Sequence, residues 1–456
     1  MLRIFKRKVY QKLIHWKETS NGKTALLIKG ARRAGKSTIA EEFAKNEYES
    51  FISIDFSVAK PEIIELFDNI TDLDFFFLRL QSIKNVTLKS RRSVIIFDEV
   101  QMCPKARQAI KHFVKDGRYD YIETGSLLSI RKNIEGIVIP SEETRISMYP
   151  LDFEEFLWAI GKSNTFDLIR YSFENRKPLG QATNRALMRD FRLFILVGGM
   201  PQAVNAYVET NDFRSVDDIK RSILELYIYD FMRIDKTGRA STILKSIPSQ
   251  LARHTSRYAV GAVVENARPS RLSEVFSDIG ESMVVSYAYR CTDPNVGMPL
   301  NSNPDDFKMY LADTGLFVTL AFMEKDYTEN DLYRRLFADK LEANLGYIYE
   351  NAVAQLLRSA GHMLYYYMFN VKSKAETTEG EEKEVTRSYE IDFLTNNGNK
   401  VCPIEVKSSG YKTHASLTAM QNVYSSYIGQ SYLLYTKDLK AEDNILFLPA
   451  YMASLL

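Results

Sequence analysis

Short apolar runs alternate with helix-spaced patterns along the first third of the chain. The runs 24–29, 51–56, 93–97, 119–123 and 144–148 are predicted strands, and several are apolar at almost every position. A strand with two apolar faces must be covered on both, as in a parallel sheet between helical layers. Helical patterns fall between the runs, so residues 1–150 read as an α/β layer. From 151 to 236 the pattern turns helical, with Ile219, Ile223, Leu226, Tyr227 and Met232 approximating one face. A helix is expected over 243–254. Leu272, Val275, Phe276 and Ile279 follow at i, i+3, i+4, i+7, and then comes a β-prone run at 283–289. Helices followed by a hairpin suit a winged-helix-like module over 237–305. The remainder, 306–456, is mixed. It holds a predicted helix at 341–360, an aromatic strand at 363–369, and a hydrophilic stretch at 372–387 that reads as a solvated loop or a long hairpin tip.

Length agrees with several domains, since 456 residues at about 150 per domain gives two or three. Hydrophobic residues at 45% and charged residues at 26% exclude a disordered, collagen-like or disulfide-framed chain. With 60 basic against 58 acidic residues the net charge is +2, so any contact with nucleic acid must be local. Cys103, Cys291 and Cys402 lie far apart without metal spacing and read as buried thiols in a reducing compartment. No apolar run follows the basic amino terminus. The uncharged stretch 415–436 carries Gln421, Asn422, Ser425, Ser426, Gln430 and Ser431, too polar for hydrocarbon. A cytoplasmic protein without a membrane partner is expected.

The clearest chemical motif is Gly30-Ala-Arg-Arg-Ala-Gly35-Lys36-Ser37, set between a buried run ending at Ile28 and a helical pattern over 38–45. Its glycines let the backbone fold round phosphate oxygens, whose charge is met by amide N–H groups at the helix start. Gly30, Arg33, Ala34, Gly35, Lys36, Ser37 and Thr38 are therefore the expected nucleotide-binding residues. Lys36 can reach the β- and γ-phosphates, and the Ser37 hydroxyl can ligate magnesium. Further on, the strand 93–97 delivers Asp98 and Glu99 at its carboxyl end, where ligands bind in open α/β sheets. Asp98 is expected to hold the magnesium and Glu99 to polarise the attacking water. The plainer alternative is an acidic pair favoured by a helix dipole. The strand ending at Glu123-Thr124-Gly125-Ser126 can lie between the other two in space. Thr124 or Ser126 would then face the γ-phosphate, unless the segment is only a turn. ATP and Mg2+ are the expected cofactors.

With these motifs the first two hundred residues resemble AAA-type P-loop ATPases of bacteria and archaea, in the branch that uses an added catalytic glutamate. The matching pieces are Arg7-Lys-Val-Tyr10, Gly30-Ala-Arg-Arg33, Phe97-Asp-Glu-Val-Gln101, Thr124-Gly-Ser126, Pro150-Leu-Asp-Phe-Glu-Glu-Phe156 and Gly198-Gly-Met-Pro201. The resemblance implies ATP hydrolysis, a carboxy-terminal domain of unknown function, and a homo-oligomer whose neighbour supplies an arginine. Arg145 is a candidate for that arginine, with Arg32 or Arg33 as candidates acting in cis. An ordinary surface role serves each equally well.

A second constellation is Tyr389-Glu390-Ile-Asp392-Phe-Leu-Thr-Asn-Asn-Gly398-Asn-Lys-Val-Cys-Pro-Ile-Glu405-Val-Lys407. Two alternating runs around Asn-Gly-Asn read as a β-hairpin. A loop at Gly398-Asn399 sets Asp392 opposite Glu405 and Glu390 opposite Lys407. A loop at Asn397-Gly398 slides the pairing by two and keeps these four on one face. Ile391, Phe393, Ile404 and Val406 then fill the apolar face. A divalent metal on Asp392 and Glu405, with Lys407 steadying a hydroxide or the developing phosphorane charge, would cleave a phosphodiester. The hairpin resembles the PD-(D/E)XK nuclease superfamily, although Ile391 stands where a proline is usual. That resemblance implies a restriction-endonuclease-like α/β domain over 306–456, with Glu350 as the helix acid and a further metal ligand. DNA is the expected partner. The plainer reading is a cross-strand Glu390–Lys407 pair on a solvated acidic face. Arg253, Arg257, Arg268 and Arg271 offer DNA contacts or a solvated face. His15, His112, His254, His362 and His414 show no catalytic or metal spacing.

These readings combine into a P-loop ATPase with a helical extension, a winged-helix-like linker and a nuclease-like end domain, whose ATP cycle governs action on DNA. The rival is an ATP-gated signalling or interaction module whose nuclease-like domain is catalytically inactive. A small-molecule P-loop kinase fits the tandem Asp98-Glu99 less well.

Overall fold

A computed structural model describes residues 3–125, 141–253, 255–264, 269–295, 297–324, 337–338, 346–376, 382–409 and 412–456. Two compact units divide the chain: Met1–Leu151 with Glu281–Met283, and Asp152–Gly280 with Val284–Leu456.

In the first unit, β1 (Ala25–Lys29), β2 (Ser50–Asp55), β3 (Ser93–Asp98), β4 (Asp120–Gly125) and β5 (Glu143–Ser147) make one parallel sheet, ordered β2-β3-β4-β1-β5. The chain leaves β1 toward the far edge and returns to insert β4 between β1 and β3. The near-continuous apolar strands are explained by two covered faces. On one side Leu27, Ile54, Ile95 and Phe97 pack against Phe67, Phe76, Phe77 and Phe113. On the other, Leu26, Ile28, Val94, Ile96 and Ile122 pack against Leu13, Trp16, Ile39 and Phe43. Ile39 and Phe43 belong to the helix Lys36–Glu47, which springs directly from the glycine loop.

The second unit begins with helices, from Phe153–Ala159 to Arg239–Ala252. Its sheet contains β6 (Val285–Cys291), β7 (Ser302–Leu311), β8 (Leu364–Glu376), β9 (Glu382–Asn397), β10 (Lys400–Val406), β11 (Ser431–Tyr435), β12 (Lys440–Glu442) and β13 (Ile445–Pro449). The order is β12-β13-β11-β10-β9-β8-β6-β7, with parallel and antiparallel pairings mixed.

One expectation changes here. A separate winged-helix-like module over 237–305 does not form, because its would-be wing, β6–β7, joins β8 by parallel pairing. The boundary at 305 falls inside β7. The pairing with β8 lies too far along the chain for a local pattern to reveal it. Of the two forms expected for the hydrophilic stretch 372–387, its described residues take the hairpin, with β8 and β9 paired from Tyr365↔Leu394 to Glu376↔Glu382; 377–381 lie outside the described residues.

Among the described residues no helix is long and apolar enough to cross a membrane. The uncharged stretch near the carboxyl end contains the helix Ala415–Val423 and, beyond it, β11. All three cysteines are buried free thiols.

Candidate functional site

The glycine loop leaves β1 at the carboxyl edge of the first sheet. At Gly30 a side chain is excluded, since a Cβ would sit 2.3 Å from the Met148 carbonyl oxygen. Gly35 takes φ +95° and Arg33 φ +68°, so the loop turns through left-handed backbone before the helix begins at Lys36. Lys36 is buried and its Nζ donates to the Gly30 and Ala31 carbonyls, at 3.0 Å each. Burial holds this amine below the ordinary lysine range, against the pull of Glu99 and Asp98.

Ser37 donates its hydroxyl to Asp98 Oδ1 at 2.8 Å, and the buried Thr124 hydroxyl donates to the same oxygen. The insertion of β4 thus brings three strand ends together. Thr124, expected at the γ-phosphate, lies against Asp98; Ser126 lies outside the described residues. A hydroxyl and a carboxylate side by side are hard oxygen donors. Magnesium is commonly bound through one or two such groups plus substrate phosphates, so these residues fit it. Glu99 follows β3 with φ +52°, and Gln101 donates from Nε2 to its carboxylate.

Arg7, placed by the sequence only in a lead-in motif, is a buried support of the loop. Its guanidinium donates to the Ala34 carbonyl at 3.1 Å and to the Tyr149 carbonyl at 2.6 Å. Arg32 and Arg33 are exposed. Arg145 pairs with Glu143 at 2.6 Å, and Glu143 also holds the buried Arg107.

In the second unit the hairpin β9–β10 has the register Lys400↔Asn397 through Ile404↔Phe393, which is the pairing expected of a Gly398-Asn399 loop. Glu350 comes from the helix Gly346–Ala360. Asp392 Oδ2 accepts the Val406 N–H at 2.7 Å, and Lys407 pairs with Glu405 Oε1 at 2.8 Å. Burial, followed by the charges of Glu350, Glu405 and Glu390, pushes the Asp392 carboxyl well above the usual range, with Lys308 opposing. Burial would lower Lys407, but Glu405, Asp392 and Glu350 outweigh it and hold the amine above its ordinary value. The carboxylates are therefore neighbours.

Two residues of this site were not foreseen. Lys308 of β7 lies 3.3 Å from Glu350 Oε1 and pairs with Glu390. Tyr310, two residues on, donates to the same Glu350 oxygen at 2.5 Å. They had no local signal, being an ordinary lysine and tyrosine on a strand distant in sequence from the hairpin. Among the described residues no group of three or more His, Cys, Asp or Glu side chains is disposed to hold a metal. In the expected metal set of Glu350, Asp392 and Glu405, the helix acid Glu350 is engaged by a lysine and a tyrosine. Of the proposed DNA-contacting arginines, Arg257 pairs with Asp306 at 2.6 Å, and Arg268 lies outside the described residues.

Residues 22–157 match the AAA domain family. Residues 188–327 match a domain of unknown function (DUF8612), and residues 345–452 match another (DUF4143). No curated protein matches the chain. Among solved structures, a Walker-type ATPase of Pyrococcus abyssi is 16% identical, with 70% of this chain and 96% of that one covered at a TM-score of 0.42. The Aeropyrum pernix ORC1 protein, solved in complex with DNA, is 12% identical over 71% of this chain and 94% of its own, at 0.29. Cdc6p from Pyrobaculum aerophilum is 11% identical over 75% and 97%, at 0.27. These are loose likenesses. The family match and the loop geometry agree: residues 22–157 are similar to AAA domains and carry a phosphate-binding loop.

Proposed function

We propose that the first unit binds ATP with magnesium and hydrolyses it, and that the second unit couples this cycle to DNA. The observation that carries the first half is the meeting of Ser37, Thr124 and Asp98, with Lys36 beside them. Lys36 exchanges its two loop carbonyls for phosphate oxygens when the nucleotide enters. Glu99, one residue beyond Asp98, accepts the proton of the attacking water. Magnesium held by Ser37 and Asp98 would offset charge on the β- and γ-phosphates.

Support for the second half is the gathering of Glu350, Asp392, Glu405 and Lys407 from one helix and one hairpin, the positions that the nuclease resemblance requires. A second reading is favoured by Lys308. In that reading the second unit grips a partner under ATP control and cuts nothing.

Purified chain with magnesium or manganese, ATP and plasmid or single-stranded DNA tests both halves, beside Lys36→Ala and Asp392→Ala. ATP turnover should vanish in Lys36→Ala, and any DNA cleavage should vanish in Asp392→Ala. An ATPase rate untouched by Lys36→Ala sinks the first half. DNA binding without cleavage selects the gripping module, and no DNA binding at all sinks the coupling to DNA.

A further inference from the structure

We propose that the Lys308 ammonium is the resident counter-ion of the carboxylate cluster in the second unit and keeps divalent metal out of it. This rests on the nuclease-like reading of that unit and names what its acidic site takes in place of a metal.

The argument is one of donors and acceptors. Each acid expected to hold a metal already has an oxygen engaged by the protein. Glu350 Oε1 faces Lys308 Nζ at 3.3 Å and the Tyr310 hydroxyl at 2.5 Å. Asp392 Oδ2 takes the Val406 N–H at 2.7 Å, and Glu405 Oε1 takes Lys407 at 2.8 Å. Glu405 Oε2 is a buried oxygen left without a donor. Magnesium asks for near-octahedral oxygens at short range and dehydrates reluctantly. Neighbouring carboxylates that each have an oxygen committed to a protein donor do not supply that set, and among the described residues no metal-holding group forms.

A lysine meets a different requirement. Its ammonium has three donors on a flexible stem, so one cation can serve two carboxylates at once. Lys308 does this, pairing with Glu390 of β9 as well as Glu350 of the helix. Its reach passes the Tyr366 ring, whose centroid lies 5.4 Å from Nζ. The side chain is 8% exposed, so it is part of the interior and not a solvated bystander. For a metal to take Glu350, this ammonium must give it up, and removing a buried cation from a carboxylate is strongly unfavourable. Lys308 and the metal therefore compete for Glu350, and the lysine is already in place.

Manganese binding to the full-length chain, measured by electron paramagnetic resonance without nucleotide and in an Asp98→Asn background, reads this directly. The Asp98→Asn change removes the P-loop carboxylate from the count. With Lys308 present no stoichiometric manganese should bind. Lys308→Met should gain one ion, tightening affinity by about tenfold or more, and adding Asp392→Ala should abolish it. Lys308→Arg should stay empty. Lys308→Gln, which keeps a donor and removes the charge, serves where Lys308→Met unfolds. Stoichiometric manganese in the Lys308 protein, lost in Asp392→Ala, overturns the proposal. A folded, uncharged Lys308 variant that gains no ion overturns it equally. Failure of the nuclease-like reading shows separately, as no DNA binding by the unsubstituted chain whatever the manganese result.

Discussion

Glu99 illustrates how much of a site rests on one residue's surroundings. It leaves β3 in left-handed backbone, a conformation that a residue other than glycine keeps only when its neighbours hold it. Gln101 supplies part of that hold through the Glu99 carboxylate. If Glu99 takes the proton of the attacking water, Glu99→Gln should lower turnover by about 10²–10⁴-fold and leave nucleotide affinity nearly unchanged. Gln101→Ala should lower turnover by a smaller factor, because the carboxylate survives but is less well aimed. Single-turnover hydrolysis beside equilibrium binding of labelled ATP separates the two effects. Equal turnover in Glu99→Gln and wild type would remove the residue from the mechanism. Gly30, Lys36, Ser37 and Asp98 were legible in the sequence because contiguous motifs carry them. Arg7, Lys308 and Tyr310 were not, since their roles arise from folding alone.

Between elements, the first unit depends on a charge cluster that no apolar pattern announces. Arg107, on the helix Pro104–Asp116, donates to Glu123 of β4 at 2.8 Å and pairs with Glu143 of β5 at 2.7 Å, with all three side chains buried. Burial, against the pull of Arg107, pushes the Glu123 carboxyl well above its ordinary range. Arg107→Met would strand the buried Glu123 and leave Glu143 to Arg145 alone, and should cost about 3–5 kcal/mol of stability. Replacing all three by apolar residues should recover most of that loss. The chain has two tryptophans, and Trp16 belongs to the first unit, so denaturant titration in a Trp158→Phe background isolates this transition. A loss below about 1 kcal/mol would mean that the cluster behaves like a surface pair. Elements fixed by local chemistry were legible: the strands of the first sheet, the glycine loop, and the hairpin whose Asn-Gly-Asn turn sets its register. The separate winged-helix-like module failed because parallel pairing of β6 with β8 is non-local.

Across the molecule the net charge of +2 decides little, because the charges that matter are buried and local. Lys220 in the second unit is the clearest case. It lies in the helix Phe213–Ile234 and donates to the Leu196 carbonyl at 2.7 Å and the Gly315 carbonyl at 3.4 Å. Those carbonyls flank the clasp in which Asp313 accepts the Gly199 N–H at 2.5 Å and the Leu316 N–H at 2.8 Å. A Cβ at Gly198 would meet Asp313 Oδ1 at 2.4 Å, which gives the Gly198-Gly-Met-Pro201 motif a structural reason. Burial lowers the Lys220 amine from 10.5 to about 8, with Asp217 and Asp313 opposing. Between those two values the unfolded chain holds a proton that the folded chain has lost, so this residue's contribution to stability rises with pH across that window. Below about pH 8 both states are protonated and the full penalty, about 3 kcal/mol, is present. Lys220→Met removes the titration and leaves the rest of the unit to respond as before. In a Trp16→Phe background, with Trp158 reporting on the second unit, the Lys220 protein should gain about 2–3 kcal/mol on Lys220→Met between pH 7 and pH 10. Parallel stability curves for the two proteins would show instead that Lys220 keeps the same proton affinity folded and unfolded.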